Sequence, residues 1–246
     1  MLDGKNAIVT GGSLGIGTAI ALDLAKNGAN VAINYRRHDK EAKEVVAEIE
    51  KMGRKGLAIK ADVSSFDDAQ KMVAEVREKF GGIDILVCNA GINRDAVIWK
   101  MEEKQWDEVM ATDLKGTFNY CRAVAPVFRE QKHGRIVNIA SINALRGKFG
   151  QTNYSAAKAG VVGLSKALAK ELGRSGVTVN VVCPGMIETE MMANIPEEFK
   201  QKARDETVLG RIGRPEEVAA LVTFLCSEAA RHITGEVIKV DGGQYI

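Results

Sequence analysis

The sequence predicts a doubly wound α/β fold, a parallel sheet with helices on both faces, and three observations carry that prediction. Short runs rich in Val and Ile recur seven times along the 246 residues. Helical patterns separate them, so strand and helix alternate from end to end. The strand runs are mostly apolar, with few polar residues interrupting them. They are therefore expected to be buried on both faces, and parallel neighbours joined by helices need right-handed crossovers.

The expected strands, in order, are NAIVT (6–10), NVAINY (30–35), GLAIK (56–60), IDILVC (83–88), RIVNIA (135–140), VTVNVV (177–182) and EVIKV (236–240). The stretches GTAIALDLAKNG, KEAKEVVAEIEKMG, DDAQKMVAEVREKFG and AAKAGVVGLSKALAKELG read as helices, several closing on Lys or Gly. No linker or internal repeat breaks the alternation, so residues 1–246 are expected to form a single domain with a seven-stranded sheet. The longest stretch without strand character begins at Met186, and 186–214 is expected to be a lid over a site.

Composition narrows the classes of function. Hydrophobic residues make up 46% and charged residues 27%, the balance of a globular chain. Lys and Arg total 34 against 32 Asp and Glu, for a net charge of +2 with the signs interspersed. No basic stripe points to nucleic acid or to an anionic membrane. No window reaches the ~18 uncharged apolar residues of a membrane span. Cys88, Cys121, Cys183 and Cys226 form no C-x-x-C, and the first residues lack an apolar leader, so a reducing cytoplasm is expected. His38, His133 and His232 lack ligand spacing, and no metal is expected.

TGGSLGIG (10–17) follows the first strand and opens a helix. Gly11, Gly15 and Gly17 allow a tight turn, close approach of backbone to a pyrophosphate, and close packing of helix on strand. The helix N-terminus adds free N–H groups and the positive end of a dipole. The loop therefore reads as a dinucleotide site rather than a purely structural turn, and the fold is expected to be of the Rossmann type. An acidic residue ending the second strand would accept from a free 2′-hydroxyl and repel a 2′-phosphate. Tyr35 stands there instead, followed by Arg36 and Arg37, which favours NADP(H) through charge and guanidinium geometry.

In TNYSAAKAG (152–160), Tyr154 and Lys158 stand at i and i+4 and share a helix face. A free phenol has a pKa near ~10, and a neighbouring ammonium is expected to pull it toward neutrality. The pair reads as a proton donor and its tuner, and the ammonium can also bond a cofactor ribose. Ser141 ends the strand RIVNIAS, at the sheet edge where ligands of such folds bind. Its hydroxyl can hold a substrate carbonyl oxygen beside the phenol.

Loop, serine and pair, in this order, resemble the short-chain dehydrogenases/reductases over the whole chain, from KNAIVTGGSLGIG to VDGG. The resemblance implies cofactor contacts from Gly11, Ser13, Leu14, Gly15, Ile16 and Gly17 in the loop. It adds Asp62 and Val63 of ADV at the adenine, and Asn89, Ala90 and Gly91 of CNAG beside the cofactor. Pro184, Gly185, Ile187 and Thr189 of CPGMIET fall at the nicotinamide end. Ser141, Tyr154 and Lys158 fall on the family's catalytic positions, with Tyr154 and Lys158 also touching cofactor, and Gln151 is expected at the acyl site.

Within the family, NAGINRD, GQTNYSAAKAG and ITGEVIKVDGG are most similar to 3-oxoacyl-[acyl-carrier-protein] reductases and acetoacetyl-CoA reductases. The implied reaction is NADPH-dependent reduction of a 3-oxoacyl thioester. Oxidation of a secondary alcohol and a non-catalytic nucleotide-binding regulator are the competing readings. The resemblance also implies a homotetramer packed through 102–124 and 155–172, and docking of an acidic acyl carrier protein near Arg129, Lys132 and Arg135. Two positions depart from the family. Asp113 of ATDLKGTFN replaces an Asn within a long helix, where it is expected to act on Lys158 through water and alter the pH profile. Leu14 replaces an Arg that helps bind the 2′-phosphate, which leaves that task to Arg36 and Arg37 and admits NAD(H) as well.

Overall fold

The structure, a computed structural model, describes residues 1–192 and 196–246. The seven apolar runs form strands β1 (Asn6–Val9), β2 (Asn30–Tyr35), β3 (Gly56–Lys60), β4 (Ile85–Cys88), β5 (Gly134–Ile139), β6 (Val177–Pro184) and β7 (Val237–Val240). They pair in parallel in the order β3-β2-β1-β4-β5-β6-β7. The order reverses between β1 and β4. A crevice opens at the carboxyl ends of the strands at such a switch point, and ligands of these folds bind there.

Helices α1 (Gly15–Lys26), α2 (Asp39–Lys51) and α9 (Pro215–Cys226) cover one face. They bury Ile20, Leu24, Ile49, Val218 and Val222 against Ala7 and Val9. Helices α3 (Phe66–Phe80), α5 (Gly116–Gln131) and α7 (Thr152–Leu172) cover the other. There Met72, Tyr120, Phe128 and Leu172 pack on Ile8, the β1 residue whose side chain points the opposite way. Local chemistry sets the helix ends. The Ser65 hydroxyl accepts from the Asp68 N–H at 3.2 Å at the start of α3, whose end turns on Gly81 in the left-handed region. Pro215 opens α9, where Glu217 reaches back to the Arg214 N–H at 2.8 Å.

The stretch expected as one helix over 102–124 is interrupted. Helix α4 (Glu103–Val109) passes into a π-helical turn, Met110–Lys115, before α5 begins. The wider turn carries Asp113, whose side chain is fully buried. A short helix α6 (Asn143–Arg146) follows β5, and α8 (Glu197–Glu206) lies within the expected lid, of which 193–195 lie outside the described residues.

Candidate active site

The loop after β1 is tied to three strand ends. Gly11 N–H donates to Asn34 Oδ1 at 2.8 Å, and Asn34 Nδ2 donates to the Ala61 carbonyl at 2.7 Å. Thr10 Oγ1 accepts from the N–H groups of Asn89 and Ala90 at 2.9 and 3.1 Å. The Asn89 amide donates to the carbonyls of Thr10 and Gly11, both at 3.1 Å. Asn89 thus spends its amide fixing the loop. Asn34, a buried amide inside an apolar strand, was missed in the sequence; that misfit of polarity was the available signal. No side chain caps α1, so its first-turn N–H groups are left for an anion.

The loop opens onto a cleft of about 600 Å³ running along the strand ends. Every position expected to touch the cofactor lines it except Gly17. A Cβ on Gly17 would stand 2.0 Å from the Gly11 carbonyl oxygen, so this glycine lets α1 pack on the loop and does not face the ligand. The uncapped helix end, the glycine backbone and the size of the cleft fit a dinucleotide. At its adenosine end Arg36 Nη1 lies 3.2 Å from Asp62 Oδ2, with both side chains well exposed. Partial burial raises the Asp62 carboxyl, but Ser64 and Arg36 hold it below the ordinary value. Arg37 is exposed and has no ion pair or hydrogen bond among the described residues.

At the other end of the cleft Ser141, Tyr154 and Lys158 all reach the same space. Ser141 Oγ accepts from the Asn143 N–H at 3.1 Å. Lys158 Nζ lies 5.6 Å from the Tyr154 ring centre and donates to the Ile139 carbonyl at 3.1 Å. Asp113 Oδ2 lies 3.3 Å from that ammonium, and Asp113 Oδ1 accepts from the Ile92 N–H at 2.9 Å. Asp113 and Lys158 are both buried, and Asp113 stands behind the cleft wall. A Cβ on Gly91 would meet Asp113 Oδ2 at 2.7 Å and Lys158 Nζ at 3.2 Å, so position 91 leaves room for the pair only as glycine.

Three expectations change here. Asp113 acts on Lys158 directly rather than through water, and its main-chain carbonyl accepts from the Thr117 hydroxyl at 2.8 Å. The Tyr154 phenol lies above its ordinary value, not below it. Burial raises it, Lys158 pulls it down, and Asp113 pushes it up again. Burial would lower Lys158, yet Asp113 and Tyr154 hold its ammonium above the usual range. Gln151 does not line the cleft: its amide accepts from Asn143 Nδ2 at 3.0 Å and donates to Asp95 Oδ2 at 2.9 Å.

The remaining candidates separate. Arg135 is buried against Glu228 Oε1 at 3.0 Å, which removes it from a docking surface, whereas Arg129 and Lys132 are exposed. No cluster of three or more metal-ligating side chains occurs among the described residues. No helix among them is long and apolar enough to cross a membrane.

A Rossmann cleft that ends on Ser, Tyr and Lys defines an NAD(P)-dependent oxidoreductase of the short-chain dehydrogenase/reductase type, and the chain belongs to that family. Residues 11–244 match the family model described as enoyl-(acyl carrier protein) reductase. The chain is 44% identical over 242 residues to the 3-oxoacyl-[acyl-carrier-protein] reductase FabG of Staphylococcus aureus, covering 98% of each. It is 45% identical over 239 residues to nodulation protein G of Azospirillum brasilense, covering 97% of each. Among solved structures, a putative short-chain alcohol dehydrogenase from Sinorhizobium meliloti superposes with a TM-score of 0.95 at 35% identity, over 99% of this chain and 97% of that one.

Proposed function

We propose that this chain reduces a 3-oxoacyl thioester, on acyl carrier protein or CoA, to the 3-hydroxyacyl thioester, with NADP(H) favoured and NAD(H) as a second cofactor. The observation that carries the reading is the convergence of Ser141, Tyr154 and Lys158 on one end of a dinucleotide-sized cleft. Its similarity to 3-oxoacyl-[acyl-carrier-protein] reductase supports the choice of substrate.

The residues divide the work. Ser141 Oγ accepts from Asn143 and its O–H interacts with the Tyr154 phenol, from which it can turn to donate to a substrate carbonyl oxygen held between the two. Tyr154 donates the proton to that oxygen. Because its pKa is raised, the phenol is protonated at neutral pH and suited to donate in the reductive direction. Lys158 holds positive charge beside the phenol and presents an ammonium to the ribose. Asp113 neutralises that charge in part and fixes the lysine. The reduced nicotinamide, when bound, supplies the hydride. Segment 186–214, which contains α8, serves as the lid, and Ile187 and Thr189 line the cleft at its start.

Arg36 and Arg37 hold the 2′-phosphate, Arg36 in exchange for its contact with Asp62. Arg129 and Lys132 offer charge to an acidic carrier protein. The four buried free thiols suit a reducing cytoplasm, and the family likeness implies a homotetramer.

The test is cofactor oxidation with acetoacetyl-CoA and acetoacetyl-carrier protein, with NADPH and NADH side by side. Turnover of the 3-oxo substrates supports the reading. Turnover of crotonyl-CoA alone favours enoyl reduction, to which the description of the matching family model points. Oxidation of secondary alcohols alone favours the dehydrogenase reading, in line with the solved relative from Sinorhizobium meliloti. Cofactor binding with no turnover at all leaves the regulator.

A further inference from the structure

A polar chain joins the lid helix to the catalytic serine. Glu206, the last residue of α8, places Oε2 3.4 Å from Arg146 Nη1 and 3.1 Å from Gln244 Nε2. Arg146 Nη1 also donates to the Gln244 carbonyl at 3.4 Å, while its Nε donates to Asn143 Oδ1 at 3.2 Å. The Asn143 backbone N–H donates to Ser141 Oγ, and its side-chain amide donates to Gln151, which in turn is held by Asp95. Gln244 Oε1 accepts from the Met186 N–H at 3.1 Å, at the first residue of the expected lid.

We propose that Arg146 is a positioning residue that couples α8 to the orientation of the Ser141 hydroxyl through Asn143. The inference rests on the proposed reductase reading for its kinetic arm. A guanidinium suits this place because its planar fork serves two partners on different elements at once, here Asn143 with Nε and Glu206 with Nη1. The ion pair is not there for stability: the side chains of Arg146 and Glu206 are 22% and 39% exposed and the contact is long, so the pair adds little to folding. It does fix geometry. Asn143 can donate to Ser141 only while α6 keeps its position, and the buried Gln151 amide and the Arg146 guanidinium grip Asn143 from two sides. A lid that is seated therefore keeps Asn143 donating to Ser141 Oγ, and a lid that is lifted releases Arg146 and loosens Asn143.

The test uses Arg146→Ala, Glu206→Ala and Glu206→Gln, the last of which keeps an oxygen acceptor. In the two alanine variants kcat/KM for acetoacetyl-CoA falls roughly tenfold, with part of the loss in kcat. Glu206→Gln retains most of it. The NADPH dissociation constant stays within about twofold throughout, and amides of residues 197–206 exchange with solvent faster in the alanine variants only. Unchanged kcat/KM, or a parallel loss of cofactor binding in all variants, overturns the coupling. If the wild-type chain binds NADPH yet reduces no thioester, the reductase reading has failed, and the exchange arm decides alone. Faster exchange of the Asn143–Arg146 amides in Glu206→Ala, a change made on α8, then upholds the link, and identical exchange there overturns it.

Discussion

Asp113 Oδ2 lies 3.3 Å from Lys158 Nζ in a fully buried ion pair, and the same carboxylate grips the Ile92 N–H with its other oxygen. The two residues come from the π-helical turn before α5 and from α7, so the pair pins the helices that flank the cleft to the loop after β4. Burying two charges is costly, and removing one partner leaves the other uncompensated. The pair also has an electrical effect: a negative charge beside the ammonium reduces what Lys158 can do to the neighbouring phenol.

Asp113→Asn changes the pH profile in a definite direction. Tyr154 and Lys158 are both held above their ordinary values with help from the Asp113 charge. Asn removes it, so both protonated forms become less favoured. Reduction needs the Tyr154 proton and fails as pH rises through the phenol pKa. The basic limb of the reductive profile should therefore move down by roughly one pH unit. Thermal unfolding should show only a modest loss of about 1–2 kcal/mol, because the Lys158 ammonium keeps the Ile139 carbonyl and the Asn side chain still offers an oxygen. A basic limb that does not move removes the tuning role.

Tyr154→Phe deletes one oxygen and leaves the helix and Lys158 in place. Turnover should fall roughly 10²–10⁴-fold, the usual worth of a positioned proton donor. NADPH titration by fluorescence should give a nearly unchanged dissociation constant. Undiminished turnover would require another donor to the carbonyl oxygen.

The central strands were legible because burial on both faces writes a largely apolar run, and the one expected over 30–35 coincides with β2. The run over 56–60 coincides with β3 although that edge strand, like β7 at the other edge, is only partly buried. The catalytic trio was legible for a related reason: Tyr154 and Lys158 depend on local helix geometry and Ser141 on a strand end. The Asp113 contact was not. It joins residues 45 apart in sequence through a π-helical turn that no local propensity marks. The direction of the Tyr154 shift was lost because the sequence displays the ammonium and the Asp113 carboxylate but not the burial, which is the largest cause of the shift. Gln151 and Arg135 changed role because burial gave them protein partners.

Arg36→Ala with Arg37→Ala tests the cofactor reading. Each charge-assisted bond to a phosphate contributes about 1.5–3 kcal/mol, so KM for NADPH should rise roughly ten- to a hundredfold or more, while KM for NADH barely moves. Arg37→Ala alone should take a large share, because Arg36 must first give up Asp62. An intact NADPH preference in the double variant would place the 2′-phosphate elsewhere.

Gly17→Ala sets helix propensity against packing, and the distances decide the sign. Alanine inside a helix is favoured over glycine by about 1 kcal/mol, so an open site would gain stability. Gly17 is not open: the added carbon would stand 2.0 Å from the Gly11 oxygen and 2.5 Å from Asn89 Nδ2. The nearest of these atoms is backbone, so the first turn of α1 or the Gly11 peptide must move. Either shift breaks the Asn89 bonds to Thr10 and Gly11, which hold the cofactor loop to β4. Overpacking of this kind costs about 1–3 kcal/mol, more than the propensity gain. The variant should therefore melt several degrees lower and bind NADPH and NADH more weakly by the same factor, because the shared pyrophosphate site is what moves. A higher melting temperature with unchanged binding would mean that the loop yields without cost.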